Sequence, residues 1–319
     1  MQTSRGRAIE RRGFLTRLMA GVVAVPRVIR AQHRGTQGLA GGRADTPSRG
    51  PKTMTETARY FDSNGVRIRY LLQGKGEPVI LLHGFIFSIE PAWISGGFFE
   101  ALSQSNQVVA LDLRGHGQSG KPHDAGSYGL RMINDVLGLI DHLGFKRVHL
   151  VGYSLGGILA SKFLEVAPQR LQSVVMGGAA SVREGDSTYR SWVPLAELLE
   201  RVRPGEQLST YFWPNPSERP PREVQQVVDA NDPAALAAVA RGMLDVTVTE
   251  KVLQSNRVPI LAVCGDHDPV KPSVLTMKAV THNLVMHVVP GLDHNTLPGS
   301  KEFRDSIRQF IKNHGFGPR

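Results

Sequence analysis

The segment Gly152-Tyr153-Ser154-Leu155-Gly156 places a hydroxyl between glycines, after the apolar run Val148 to Val151 and before a helical pattern that begins at Leu155. A serine on so tight a strand-to-helix turn is expected to sit in a strained backbone conformation, and a Cβ at the neighbouring glycines would clash. The turn presents the side chain at a helix amino end, where free N–H groups and the helix dipole favour developing negative charge. A neutral hydroxyl is a poor nucleophile. Chemistry at Ser154 therefore requires a base within hydrogen-bond reach and a carboxylate to orient that base. Asp268, in VCGDHDPV, and His294, in VVPGLDHNT, follow the last two apolar runs of the chain and supply those residue types.

Positioning three such distant residues together demands a particular framework. Six short apolar runs without alternation occur at 78–84, 107–115, 147–154, 171–178, 258–266 and 283–291. Runs of this kind suit strands covered on both faces, the condition of a parallel sheet. Helical patterns at 128–143, 155–166 and 303–312 separate or follow them. The repetition predicts an α/β fold with a mostly parallel, doubly wound sheet. Before the first parallel strand, YFDSNGVRIRYLLQG alternates around Asn64-Gly65, the pair best suited to a type I′ hairpin turn. Between Gly178 and Arg257 no strand-like run occurs, but helical stretches do, at 193–202, 221–230 and 233–244. An insertion of that size between core strands is expected to lie over the carboxyl edge of the sheet as a helical cap, because ligands bind at that edge in open α/β folds. The expected organisation is a core of 57–180 and 257–316 with a cap of 181–256.

These motifs, in order, resemble the α/β-hydrolase fold superfamily from about Tyr60 to Phe310. His83-Gly84-Phe85 follows the first parallel strand, Asp112-Leu113-Arg114-Gly115-His116-Gly117-Gln118-Ser119 the second, and Gly265-Asp266-His267-Asp268-Pro269 and His294 close the series. The chain order Ser, Asp, His is also that of the family. The resemblance implies Ser154 as nucleophile, His294 as general base and then acid, and Asp268 as its orienting carboxylate. It implies backbone N–H groups of Phe85 and Leu155 as oxyanion donors, with His83, Gly84, Gly152 and Gly156 in structural roles beside the site. Serine at this position, where some relatives carry aspartate, implies an acyl-enzyme route on a carboxylic ester. Lactone, amide and carbon–carbon bond cleavage lie close by. Cofactor-free haloperoxidase or perhydrolase activity is an alternative on the same residues, and a non-catalytic ligand receptor is an alternative of another class. The expected partner is a small-molecule carbonyl substrate, with no metal or organic cofactor.

Several residues compete for these roles. The family spacing G-x-x-D selects Asp268 over Asp266, and Asp293 reads as a loop acid. His83 and His116 fall where the family uses histidine structurally, and His267 as a loop residue. Cys264 lies inside an apolar run and reads as a small core hydrophobe. Tyr153, Trp93, Trp192, Phe212 and Trp213 are pocket candidates, with packing as the alternative for the tryptophans and Phe212.

Composition narrows the partners. The formal net charge is +10, but residues 1–52 hold eleven Arg or Lys against two acids, so nine of those charges belong to the leader. The remaining chain is close to neutral, which removes the main support for nucleic-acid binding. With the single cysteine Cys264, no intrachain disulfide forms and the core must stabilise the fold. Within residues 1–31, ERRGFLT followed by RLMAGVVAVP resembles a twin-arginine export signal, which implies export to the periplasm or the outside of the cell. Arg17 interrupts its apolar part and no clean Ala-x-Ala site follows. That apolar part is shorter than the roughly 20 residues that span a bilayer, so no stable membrane anchor is expected. Residues 32–56, rich in Gly, Arg, Thr, Ser and Pro, read as a flexible linker.

Overall fold

The computed structural model describes residues 57–316; the export-signal and linker readings fall outside the described residues. Among the described residues, eight strands form one sheet: β1 (Arg59–Ser63), β2 (Val66–Gln73), β3 (Glu77–Leu82), β4 (Asn106–Leu111), β5 (Val148–Tyr153), β6 (Leu171–Gly177), β7 (Ile260–Gly265) and β8 (Leu284–Val289). Their spatial order is β1-β2-β4-β3-β5-β6-β7-β8. β2 runs antiparallel to both β1 and β4, and every other neighbouring pair is parallel. The β1–β2 hairpin turns at Asn64 and Gly65 with φ of 53° and 82°, the left-handed pair that a type I′ turn needs.

Among the described residues, ten α-helices accompany the sheet. Three precede β6: α1 (Phe98–Ser103), α2 (Leu130–His142) and α3 (Leu155–Val166). Five lie between β6 and β7: α4 (Ser187–Leu199), α5 (Leu208–Phe212), α6 (Arg222–Asp229), α7 (Pro233–Gly242) and α8 (Glu250–Ser255). The last two are α9 (Lys271–Val280) and α10 (Lys301–Asn313). The unalternating runs become strands because both faces are covered: β5 and β7 are buried throughout. One apolar layer holds Ile80, Leu82, Val109, Leu150 and the inner faces of α2 and α3; the opposite layer holds Val79, Leu81, Val108, Val151, α1 and α10.

The interval after β6 differs from its sequence reading in detail. Pro194 favours a helix start near Val193, yet α4 begins at Ser187 and carries Pro194 in its interior. α5, α8 and α9 were not legible as periodic patterns. α7, by contrast, starts where local chemistry dictates: Asp232 accepts from the Ala234 and Ala235 amides (3.0 and 3.1 Å), and Pro233 occupies the first turn.

Candidate active site

Ser154 sits between β5 and α3 with φ 52° and ψ −114°, and with Asn64 it is one of two non-glycine residues of positive φ among the described residues. Side chains disfavour that region, so the conformation persists only because the surroundings enforce it. A Cβ on Gly152 would lie 2.1 Å from the Gly156 carbonyl oxygen, and one on Gly156 would lie 2.2 Å from that of Leu82. Neither position tolerates a larger residue. The turn is locked to its neighbours by Ser154 N–H donating to Gly177 O (2.8 Å) and Gly156 N–H to His83 O (3.1 Å).

The carboxyl ends of β7 and β8 bring the other two candidates to this point. Ser154 Oγ lies 3.1 Å from His294 Nε2, and His294 Nδ1 lies 3.1 and 3.2 Å from the two oxygens of Asp268. The Asp268 side chain is fully buried and also accepts from the Val270 amide at 2.9 Å. With the carboxylate accepting a hydrogen bond from Nδ1–H, Nε2 is left as the acceptor for the serine hydroxyl. Tyr153 donates its hydroxyl to the His294 carbonyl, fixing the backbone that carries the imidazole.

The loop after β3 lies against the serine: a Cβ on Gly84 would be 3.5 Å from Ser154 Cβ. Leu155 is the first residue of α3, so its N–H has no partner within the helix. No backbone or side-chain acceptor is seen for the Phe85 N–H among the described residues. Phe85 and Leu155 border the same cavity as Ser154 and His294.

A second loop, residues 112–119, holds the first one in place. His83 Nε2 accepts from Leu113 N–H (2.9 Å) while its Nδ1 donates to Gly84 O (2.8 Å), and Asp112 accepts from the Ile89 amide (2.9 Å). Arg69 closes the arrangement by pairing with both Asp112 and Glu90. His116 Nε2 is 2.5 Å from Phe85 O. Burial pushes the His83 imidazole down to about 4; for His116 burial and the neighbouring His83 lower it to about 3. Both rings brace the loops: His83 joins Leu113 to Gly84, and His116 lies between Arg114 O, 3.0 Å from its Nδ1, and Phe85 O. Burial likewise raises Cys264, inside β7, to about 11, which leaves it an unreactive thiol.

The rival acids are elsewhere. Asp266 lies 3.1 Å from the exposed His267 ring. Asp293 caps its own loop by accepting from the Asn295 and Thr296 amides (2.9 and 2.8 Å).

A cavity of about 590 Å3 opens over Ser154. Trp192 lines it and tilts against Phe85 with ring centroids 5.9 Å apart. The other aromatic pocket candidates do not line it. Trp93 is 2% exposed and packs on Phe98 in the layer beneath the sheet. Phe212 and Trp213 pack edge to face with each other among the inserted helices. Tyr153 is turned toward His294 O and Phe303, away from the lumen. Their large apolar surfaces are covered by that packing. The pocket is built instead by residues without a motif, such as Ile158, one helical turn beyond Ser154, and Leu195, one turn beyond Trp192. Among the described residues, no group of three or more His, Cys, Asp or Glu is placed to hold a metal ion.

Comparison with known proteins fits this architecture. A family profile described as alpha/beta hydrolase fold matches residues 77–223. The chain is 33% identical over 163 residues to the dihydrolipoyllysine-residue acetyltransferase component of the acetoin cleaving system of Cupriavidus necator, covering 50% of this chain and 42% of that one. It is 32% identical over 132 residues to 2-hydroxymuconate semialdehyde hydrolase of Pseudomonas putida, covering 41% and 47%. The chain thus spans less than half the length of these two relatives. Among solved structures, a thermophilic esterase from Thermogutta terrifontis superimposes with a TM-score of 0.65 at 22% identity, over 82% of this chain and all of that one. The protein has the α/β-hydrolase fold.

Proposed function

We propose that the protein is a serine hydrolase that cleaves carboxylic esters through an acyl-enzyme. The observation that carries this reading is the continuous relay Ser154 Oγ, His294 Nε2, His294 Nδ1, Asp268, at 3.1 Å for each step. In this mechanism His294 Nε2 takes the serine proton as Oγ attacks the carbonyl carbon. Asp268 stabilises the imidazolium that results. The tetrahedral oxyanion receives the N–H groups of Phe85 and Leu155, each donor of this kind lowering the barrier by about 3 kcal/mol. Collapse expels the alcohol, which takes its proton from His294. Water then attacks the acyl carbon with His294 again as base, and the acid leaves.

The similarity to 2-hydroxymuconate semialdehyde hydrolase favours a second reading on the same residues, hydrolysis of a carbon–carbon bond beside a carbonyl. Steady-state and burst kinetics with a short p-nitrophenyl ester test the first. The expected result is a stoichiometric burst for the wild type and a fall in kcat of about 10³-fold or more for Ser154→Ala. Equal turnover by the variant would contradict the role of Ser154. Absence of any ester turnover, with hydrolysis of a vinylogous β-diketone, would move the assignment to carbon–carbon cleavage. Absence of both would favour a ligand receptor.

We also propose that the leader directs export, a reading supported by Arg11-Arg12 and the short apolar segment behind it. Replacing both arginines by lysine is expected to leave the full chain in the cytoplasm; unchanged export would contradict it.

A further inference from the structure

The walls of the cavity differ in chemistry. Phe85, Ile158, Trp192, Leu195 and Val270 give an apolar side close to Ser154. Ser181, Asp186, Ser187 and Ser273 form a polar neck, and the same four residues also border an outer recess of about 150 Å3 that holds Arg183. A molecule bound with its carbonyl at Ser154 and its apolar part against Trp192 and Leu195 therefore reaches three hydroxyls and one carboxylate on the way out.

The charged groups around the neck set the sign of its field. Asp186 accepts the Arg183 amide with Oδ2 (2.8 Å), and Oδ1 has no protein donor among the described residues. The Arg183 guanidinium stands 3.7 Å from Asp186 and 3.5 Å from Glu250, so one cation is divided between two carboxylates. The amino end of α4, which begins at Ser187, contributes about half a positive charge. Arg190 donates to the Gly185 carbonyl and does not line the cavity, so the full charge on the wall of the neck is that of Asp186, which outweighs the half charge. Asp268, the other carboxylate at the cavity, is already occupied by His294 and the Val270 amide.

Resting on the serine-hydrolase reading, we propose that Asp186 makes the site selective for esters whose far end is a hydrogen-bond donor, a hydroxyl or an ammonium, and sets it against substrates ending in a carboxylate. The apolar wall takes the chain next to the carbonyl, and the neck receives the donor.

The test uses the full chain and p-nitrophenyl esters of straight-chain acids of matched lengths, ending in methyl, ammonium or carboxylate. In the wild type, kcat/KM is expected to fall in the order ammonium, methyl, carboxylate at the length that reaches the neck. Asp186→Asn removes the charge and keeps an acceptor for the Arg183 amide. It is expected to raise the carboxylate-to-methyl ratio about fivefold and to lower the ammonium-to-methyl ratio by a similar factor, the scale of one partly exposed charge. Should the variant fold poorly, the wild type alone answers the question, because raising the salt concentration must shrink both ratios toward one. Ratios that neither the substitution nor salt moves, with turnover intact, would overturn the assignment to Asp186. Failure to turn over any of the esters, or equal turnover by Ser154→Ala, would instead remove the hydrolase reading beneath it.

Discussion

The carboxyl edge of the sheet and the helices inserted above it, Ser187 to Asp245, are built on different terms. At the edge, Ser154, Asp268 and His294 stand on turns that permit almost no variation: a Cβ on Gly152 or Gly156 would collide with backbone, and Asp268 is sealed from solvent. Each position is fixed by packing and hydrogen bonds from several strands at once. In the insertion, α4 runs through an internal proline, α5 spans five residues, and α6 buries only Val224 and Val228. The contrast teaches that reaction type and substrate are encoded separately here. On the serine-hydrolase reading, the edge carries the chemistry, and the insertion, together with Phe85, Ile158 and Val270, shapes the space for the substrate.

Four substitutions and a change of pH would break or sharpen that contrast. The largest effect belongs to the edge. His294→Ala should lower kcat for an ester by about 10³-fold or more, with little change in thermal midpoint; comparable losses in activity and stability would place His294 in the packing alone. Next is the tryptophan beneath the sheet. Trp93→Ala, in the layer beneath the sheet, should cost about 3–5 kcal/mol of stability by denaturant titration, while the folded fraction keeps its turnover. A change in ester selectivity there would link that layer to the pocket.

Smaller per step is the response to acid. Unfolded chains hold both His83 and His116 near 6.5, whereas the folded protein holds them near 4 and 3. On acidification the unfolded state therefore binds protons that the folded state refuses. Stability should be fully present above about pH 6.5 and decline below it, each histidine adding about 1.4 kcal/mol per pH unit until its folded value is reached. His116→Gln should flatten the slope by one such contribution; parallel stability curves for variant and wild type would contradict the assignment. The smallest effect is expected in the insertion. Trp192→Ala should change KM and chain-length preference by several-fold, about 1–2 kcal/mol of apolar contact, with kcat nearly constant. A loss confined to kcat would mean that Trp192 acts on the chemistry through Phe85.

The same division governs what could be read from the sequence. Ser154 was legible because a glycine-bounded turn leaves a fixed local pattern, and Asp268 and His294 because each follows an apolar run that can only be a buried strand. Helix α3 was legible to the residue, since its apolar face and the preceding turn coincide. The pocket was not. Trp93, Phe212 and Trp213 have the size to line a cavity, but sequence position says nothing about which side of a layer a side chain takes, and burial among neighbours claimed all three. Ile158 and Leu195 carry no motif. Only their helical spacing from Ser154 and Trp192 pointed to the lumen, and that signal is indistinguishable from ordinary core packing. Asp186 was hidden for a similar reason: an acid before a helix reads as a cap, and its place on the cavity wall depends on the fold of the whole insertion.

Covalent trapping tests the central claim most directly. Wild-type protein and Ser154→Ala are treated with an active-site fluorophosphonate, and the adduct is mapped by peptide mass. One phosphonyl group on Ser154 in the wild type, and none in the variant, is the predicted result. An unlabelled wild type, or equal labelling of the variant at another residue, would contradict the assignment of Ser154 as nucleophile.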